Sequence, residues 1–278
     1  LRSDDCRLSR MKQIPNLFTL VNLIFGCIAI VLVMQTGETI VQLDAGGASQ
    51  IFLPERIWWG SLFIFGAAII DFFDGFLARA LKASSEMGKQ LDSLSDVVSF
   101  GVAPGMILYQ LLRISYAQQD NGLDVSLIAL LPAFLFSAAV AWRLAKFNIS
   151  TTQTDSFIGV PSPAAGLVVA SLPLIIFYQR FNVHLFFINV WVLYAIIILL
   201  GYLMLSNRRF MALKFKSFGF KANRYTYVLM ILSVLLIFWL QWLAVPIIFV
   251  LYLIFSAFVK EGKAGSITRA NPELDITV

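Results

Sequence analysis

The chain has 278 residues, of which 59% are hydrophobic, 14% are aromatic and only 13% are charged. A soluble domain of this length is about one quarter charged, so the composition argues against a water-soluble globule and indicates a protein of the lipid bilayer. The two cysteines show no metal-ligand spacing, and there is a single histidine. These counts argue against a disulfide framework and against a zinc site built from His and Cys.

Apolar runs long enough to cross a bilayer recur along the chain. A spanning helix needs about 20 mostly apolar residues. We predict eight spans, at 16–34, 57–81, 92–113, 125–147, 164–179, 184–205, 225–240 and 243–260. Only Gln241 and Trp242 separate the last two, which predicts a tight hairpin. The predicted fold class is therefore an all-α integral membrane protein.

These spans divide the chain into five regions. Residues 1–13 are predicted to form an N-terminal tail, in which 1–10 resemble an upstream extension. Six helices occupy 14–205, a basic and aromatic loop occupies 206–224, the hairpin occupies 225–260, and a second tail occupies 261–278. The first apolar run is longer than a signal-peptide core and lacks an Ala-x-Ala end, so no cleavable signal is expected.

The distribution of positive charge predicts the orientation in the membrane. With eight spans and both termini in the cytoplasm, all lysines and arginines except Arg56, Arg113 and Arg180 fall on the inner side, as the positive-inside rule requires. We therefore expect a multi-pass protein of the cytoplasmic membrane. The net charge of +5 could suggest a nucleic-acid partner, but the positive-inside pattern already explains it, so no such partner is expected. The 206–224 loop either lies against anionic headgroups or is an ordinary positive-inside loop.

Four aspartates lie near the predicted cytoplasmic ends of the second and third spans. An Asp in mid-membrane costs about 2.5–3.5 kcal/mol on insertion scales, so four of them need a compensating partner. Asp71 and Asp74 are spaced i, i+3, and Asp92 and Asp96 are spaced i, i+4, which places each pair on one helix face. A short connection makes the two helices antiparallel neighbours, so the acidic faces are expected to converge.

Converging carboxylates must either become protonated or bind cations. Ligation by oxygen alone, without His or Cys, favours Mg²⁺, Mn²⁺ or Ca²⁺, and a cluster of four carboxylates fits two ions. One alternative is a buried polar network with Arg79, Lys82 or Lys89. Another is the ion pathway of a cation or proton transporter, because intramembrane acids also mark such pathways.

The spacing around the aspartates is similar to the signature of the CDP-alcohol phosphotransferase family. The matching string is Asp71-x2-Asp74-Gly75-x2-Ala78-Arg79-x8-Gly88-x3-Asp92-x3-Asp96. Within that family the chain most resembles the bacterial membrane-embedded phosphatidylserine synthases, through the strings 14–22, 92–104, 143–148 and 157–165. The resemblance implies a six-helix catalytic core in 14–205, with the hairpin as an addition, and a homodimer.

The resemblance also implies the reaction and the roles of individual residues. The phosphatidyl group of CDP-diacylglycerol would pass to the hydroxyl of L-serine, with CMP as the second product. Divalent metal, Mg²⁺ or Mn²⁺, would be bound by Asp71, Asp74 and Asp92, with Asp96 near the metals as a fourth candidate ligand and as general base. The implied CDP-lipid contacts are Asn16, Asn22, Asp71, Asp74, Gly75, Ala78, Arg79 and Gly88. For the two asparagines, helix capping or interhelical hydrogen bonding is the alternative.

A serine acceptor brings a carboxylate, so its pocket needs a cation. Arg143 and Lys146, at the cytoplasmic end of the fourth span, are the candidates, because Arg can bind a carboxylate through two parallel hydrogen bonds. Anchoring by the positive-inside rule is the alternative for both. Residues 156–165 are predicted to form a loop over this region, since Gly159, Pro161 and Pro163 disfavour helix there. Glycerol 3-phosphate, inositol phosphate and choline are the alternative acceptors.

Overall fold

Helices make up almost all of the described chain. The computed structural model describes residues 13–35, 41–43, 49–51, 56–81, 85–119, 125–149, 157–178, 183–210 and 224–258. Within these residues the α-helices are α1 Gln13–Met34, α2 Ile57–Ala80, α3 Glu86–Asp96, α4 Ala103–Ala117, α5 Leu127–Leu130, α6 Ala133–Ile149, α7 Ser162–Tyr178, α8 His184–Phe187, α9 Val190–Leu205, α10 Arg224–Leu240 and α11 Ala244–Phe258.

Two irregular helical segments and two short strand pairs complete the described structure. A π-helical segment, Val97–Val102, joins α3 to α4, and a 3₁₀ turn, Gln241–Leu243, joins α10 to α11. Strand β1 (Val41–Leu43) pairs antiparallel with β2 (Ser49–Ile51), and β3 (Phe157–Ile158) pairs antiparallel with β4 (Arg209–Phe210). The prediction of an all-α architecture is confirmed, with these strand pairs as minor additions between helices.

Within the described residues, four helical stretches are long and apolar enough to cross a membrane. They are Pro15–Met34, Ile57–Ala80, Glu86–Ala117 and Thr226–Ala257, and Ser162–Tyr178 and Val190–Leu205 are shorter apolar helices. Large apolar side chains cover the outer surface, as in Phe238, which is 85% exposed, and Trp239, which is 76% exposed. Such a surface is unfavourable in water and fits contact with lipid.

Close helix packing at the centre of the bundle depends on small residues. A Cβ on Gly26 would lie 2.9 Å from the Cα of Ser99, and a Cβ on Gly166 would lie 3.1 Å from the carbonyl oxygen of Phe100. Both contacts fall on the π-helical segment, so α1 and α7 approach its backbone from two sides. Small residues allow this approach in membrane helices. The segment that follows Asp96 is therefore enclosed.

The prediction of a loop over 156–165 is partly wrong. Helix α7 already begins at Ser162, with Pro163 in its first turn, where a missing N–H removes no helical hydrogen bond. Before it, β3 pairs with β4, and the N–H of Gly159 donates to the carbonyl of Arg208 at 3.0 Å. Two-residue strands escape prediction because their pattern is too short to show a period.

The C-terminal helices form the predicted hairpin. Gln241 adopts a left-handed backbone with φ of +50°, which ends α10, and the 3₁₀ turn leads into α11. Helices α10 and α11 contact each other, and α11 also contacts α7 and β4. Both predicted tails apart from Gln13, and the part of the basic and aromatic loop at 211–223, lie outside the described residues.

Gly159 provides a test of how β3 and β4 are held. Its φ of +77° is strained for any other residue, and a Cβ there would collide with the carbonyl oxygen of Met204. We expect Gly159→Ala to lower the free energy of unfolding by about 1–3 kcal/mol, measured as a lower thermal midpoint in detergent. Gly201→Ala is the matched control, because its Cβ would make only an ordinary 3.9 Å contact with Ala139. An unchanged midpoint for Gly159→Ala would contradict this account.

Candidate active site

Helices α2 and α3 bring three of the four aspartates together. One carboxylate oxygen from each of Asp71, Asp74 and Asp92 lies within 4.8 Å of the others. Asp74 is buried, at 4% exposure, and the other two are half-buried. The i, i+3 spacing on α2 and the antiparallel neighbour α3 produce this convergence, as the sequence predicted. We call these three carboxylates the acidic cluster.

Asp96 lies beside the acidic cluster and is more deeply enclosed. Its side chain is 7% exposed and interacts electrostatically with all three clustered aspartates. Within the described part of the chain its Oδ1 has no hydrogen-bond partner. The π-helical segment begins at the next residue, and such segments often occur at functional sites. Asp96 thus offers an unpaired carboxylate oxygen next to the cluster rather than within it.

The donor set of the acidic cluster fits a hard divalent cation. Its ligand atoms are carboxylate oxygens, the type that Mg²⁺ and Mn²⁺ prefer. Of the alternative network with Arg79, Lys82 or Lys89, Lys82 lies outside the described residues, and within them the other two form no ion pair with these carboxylates. The Nζ of Lys89 donates to the carbonyl of Asn148 at 3.4 Å, and Arg79 is exposed. A bound cation is therefore the better partner for these charges.

Helix α1 forms a third wall of the site, which the aspartate pattern alone did not predict. The Oγ1 of Thr19 lies 3.0 Å from Oδ2 of Asp74 and 3.1 Å from the carbonyl of Pro15. The hydroxyl of Ser95 donates to the carbonyl of Thr19 at 3.1 Å. A signal was present in the sequence, because Asn16, Thr19 and Asn22 recur at three-residue spacing on an otherwise apolar helix.

Asn16 and Gly88 lie against each other where α1 meets the start of α3. A Cβ on Gly88 would lie 2.7 Å from the Oδ1 of Asn16, so only glycine fits without a shift of that amide. The backbone N–H of Gly88 donates to the Oγ of Ser85, which caps α3. Gly88 thereby allows a polar side chain of α1 to reach the first turn of α3.

Asn22 lies deeper on the same face of α1. It is fully buried, and neither its amide nitrogen nor its amide oxygen has a hydrogen-bond partner in the described ranges. Its backbone carbonyl accepts from the hydroxyl of Ser99 at 3.0 Å. A buried unsatisfied amide is rare and needs a ligand or a water as partner. The capping or interhelical bond considered for its side chain is not formed with the described residues.

Gly75, Ala78 and Arg79 line the C-terminal end of α2. A Cβ on Gly75 would meet only the Nη1 of Arg79, at 3.8 Å, among atoms of the described residues. Packing within the protein therefore does not require a glycine at position 75. Open space beside a half-buried glycine is suitable for the close approach of a ligand to the backbone. Ala78, one turn further on, is also half-buried.

The two candidate acceptor cations have different surroundings. Arg143 is buried, at 8% exposure, interacts electrostatically with Asp96, and donates from Nη1 to the Oγ of Ser162 at 2.6 Å. Its Nε has no partner among the residues that the structure describes. Lys146 is exposed, and its Nζ donates to the Oδ1 of Asn207 at 2.6 Å. Arg143 is therefore the candidate that lies near Asp96.

The end of α6 is tied to the start of α3. The amide nitrogen of Asn148 donates to the Oγ of Ser93 at 2.8 Å, and the carbonyl of Asn148 accepts from Lys89 at 3.4 Å. These bonds hold the helix that carries Arg143 against the helix that carries Asp92 and Asp96.

Comparison with known proteins identifies the family. A family model described as CDP-alcohol phosphatidyltransferase matches residues 12–195. The chain belongs to this family. Relatives named CDP-diacylglycerol–serine O-phosphatidyltransferase include one from Bacillus subtilis, 35% identical over 162 residues (58% of this chain and 76% of the relative). One from Helicobacter pylori is 35% identical over 223 residues, which are 75% of this chain and 86% of the relative. One from Methanocaldococcus jannaschii is 37% identical over 147 residues, 53% and 61% respectively.

The region that matches the CDP-alcohol phosphatidyltransferase family contains every candidate site residue. The acidic cluster, Asp96, the α1 asparagines and Arg143 all lie between residues 12 and 195. The α10–α11 hairpin lies outside the matched region. The resemblance inferred from the aspartate spacing is thus confirmed, and the hairpin is an element beyond the family region.

Thr19 tests whether α1 supports the acidic cluster. Thr19→Val keeps the shape of the side chain and removes the hydroxyl next to Asp74. We expect the divalent-metal concentration that gives half-maximal activity to rise about ten-fold or more, since residues that orient metal ligands have effects of this size. Ser171→Ala is the matched control, because that buried hydroxyl bonds only the Val168 carbonyl on its own helix. Equal metal dependence in the two variants would contradict the proposed support.

Proposed function

We propose that the protein transfers the phosphatidyl group of CDP-diacylglycerol to the hydroxyl of L-serine, giving phosphatidylserine and CMP. The observation that carries this proposal is the acidic cluster with Asp96 and buried Arg143 beside it. This arrangement provides a place for the pyrophosphate, a base for a hydroxyl and a cation for a carboxylate. The relatives' names and the family match support the same reaction.

The CDP-lipid would be held between α1, α2 and α3. Asp71, Asp74 and Asp92 would bind Mg²⁺ or Mn²⁺, with two ions as the expected number. The bound cation would neutralise the pyrophosphate and make CMP a better leaving group. Asn16 and Asn22 would bind the polar nucleotide, and Gly75 and Ala78 would border the cytidine. Arg79 would support the pyrophosphate from the exposed side.

Asp96 would act as the general base. As the serine oxygen forms its bond to the lipid-side phosphorus, the bond from that phosphorus to the bridging oxygen of CMP breaks. The hydroxyl proton passes to Asp96, whose Oδ1 has no partner in the described chain and is free to accept it. A base acts only in the chemical step, which separates its role from that of the clustered aspartates.

Arg143 would bind the carboxylate of serine. Its Nη1 is already oriented by Ser162, and its buried Nε needs an acceptor. Arg commonly binds a carboxylate through two parallel N–H groups. Lys146 remains a second candidate from the sequence, although its contact with Asn207 places it on the exposed side of α6.

The expected setting is the cytoplasmic membrane, with the site on the cytoplasmic side. Eight spans with both termini inside fit the distribution of lysine and arginine. A site at the cytoplasmic surface of the membrane suits CDP-diacylglycerol, because its nucleotide is polar and its acyl chains stay in lipid. A homodimer is expected from the family resemblance. Six helices in 14–205 would form the catalytic core, with 206–224 on the cytoplasmic face.

Release of CMP from CDP-diacylglycerol tests the reaction. With purified protein in mixed micelles, we expect CMP release to require both serine and Mg²⁺ or Mn²⁺, and to stop on addition of EDTA. Glycerol 3-phosphate, inositol phosphate and choline serve as competing acceptors in parallel assays. Faster CMP release with one of these compounds would identify that compound, instead of serine, as the acceptor. Cation uptake into vesicles without any CMP release would instead favour a transporter.

Asp96 and Asp92 should respond differently to conversion into asparagine. Asp92→Asn removes a metal ligand, so we expect weaker CDP-diacylglycerol binding and lower turnover. Asp96→Asn removes the base, so turnover should fall about 100-fold or more with CDP-lipid affinity nearly unchanged. Binding is measured by titration with a CDP-lipid and turnover by CMP release. Equal losses of affinity would assign Asp96 to the ligand set alone.

A further inference from the structure

The α10–α11 hairpin lies outside the region that matches the family, yet α11 reaches the proposed acceptor end of the site. Tyr252, on α11, is 7% exposed and interacts electrostatically with the Arg143 guanidinium. Helix α11 also contacts α7, whose first residue, Ser162, accepts the hydrogen bond from Arg143. The phenol of Tyr252 and the hydroxyl of Ser162 are therefore both near the same buried cation.

A second connection between α11 and Arg143 runs through the paired segments 157–161 and 206–210, which we call the strap. The ring of Tyr252 stacks on that of Phe210, with centroids 6.4 Å apart and an interplanar angle of 25°. Phe210 belongs to β4, which pairs with β3. Val160 follows β3 and lies two residues before Ser162. Its N–H donates to the carbonyl of Leu203 at 3.2 Å. The strap thus links Tyr252 to Ser162.

Fixing an arginine side chain is costly because it loses about 1.5–2 kcal/mol of rotamer freedom. The bond to Ser162 constrains Nη1 alone. A second polar group near the guanidinium can restrict rotation about the last side-chain bonds and so help to orient Nε, which has no partner among the described residues. Binding a carboxylate by two parallel N–H groups needs this fixed direction, because both bonds weaken steeply when misaligned.

We propose that Tyr252 is a positioning residue for acceptor recognition, and that the strap and the C-terminal hairpin complete the acceptor end of the site by holding Arg143. This inference rests on the proposed function, in which Arg143 binds the serine carboxylate. In this inference Tyr252 acts through Arg143 and not on the CDP-lipid or the reacting phosphorus. Its effect is therefore confined to the affinity for serine and to the preference for an acceptor that carries a carboxylate.

Tyr252→Phe tests the inference, since it removes the phenol oxygen and keeps the ring that stacks on Phe210. We expect the KM for serine to rise about five-fold, the size of one modest polar interaction, with kcat and the KM for CDP-diacylglycerol unchanged. Discrimination between serine and serine methyl ester, which lacks the carboxylate charge, should fall. Tyr202→Phe is the matched control, because Tyr202 is 62% exposed on α9, and it should leave all three constants unchanged.

Arg143→Ala distinguishes a failure of this inference from a failure of the proposed function. If Arg143→Ala raises the KM for serine and Tyr252→Phe does not, the positioning role is wrong and the acceptor assignment stands. An Arg143→Ala enzyme with unchanged serine kinetics would overturn the assignment of Arg143 and this inference with it.

A double variant separates positioning from direct contact. Tyr252→Phe should add nothing to the KM for serine in the Arg143→Ala background, because its effect passes through Arg143. Additive effects would mean that Tyr252 contacts serine directly and would overturn the positioning role. A parallel rise in the KM for CDP-diacylglycerol would show a structural effect and would also overturn it.

Discussion

Mutual repulsion of carboxylates is the constraint on which the rest of the site depends. Two unit charges 4.8 Å apart repel by about 3 kcal/mol at an effective dielectric constant near 20, so the three pairs in the acidic cluster amount to about 10 kcal/mol. That value is comparable to the whole stability of a typical domain. The cluster is therefore incompatible with three ionised carboxylates unless a cation joins them. A divalent cation bound by the three carboxylates would relieve this repulsion, and it could in turn bind a pyrophosphate.

Enclosure of the cluster depends on close packing more than on the aspartates themselves. Gly26 and Gly166 let α1 and α7 approach the π-helical segment, and Gly88 lets Asn16 reach α3. Each glycine removes a side chain where a backbone or a polar group must pass. The result is a closely packed wall of helices around Asp96, in which the Asn22 amide has no hydrogen-bond partner among the described residues and keeps its capacity for a ligand. Close packing with unsatisfied polar groups is the arrangement expected of a preorganised site.

Helical periodicity made the centre of the site predictable from the sequence. The i, i+3 and i, i+4 spacings placed Asp71, Asp74, Asp92 and Asp96 on facing helix faces. The apolar runs predicted helices, although the predicted spans 125–147 and 184–205 are each divided into a short helix and a longer one. Two features escaped. The role of Thr19 was not predicted, because a single threonine in an apolar helix usually bonds its own backbone, and only its three-residue spacing from Asn16 and Asn22 distinguishes it. The pairing of β3 with β4 was not predicted either, because it joins residues that are far apart in the chain through strands of only two residues, which show no local pattern.

Arg143 and Asp96 must be near each other without neutralising each other. If Arg143 formed a close ion pair with Asp96, the carboxylate would be a weaker base and the guanidinium would have fewer free N–H groups for a substrate. The structure resolves this conflict by giving Arg143 a neutral partner, the hydroxyl of Ser162 at 2.6 Å, while Oδ1 of Asp96 keeps no partner among the described residues. The two charges still interact electrostatically, which holds the cation in the site. Under the proposed function, an acceptor with a hydroxyl and a carboxylate on neighbouring carbons would bridge the pair, with the hydroxyl at Asp96 and the carboxylate at Arg143.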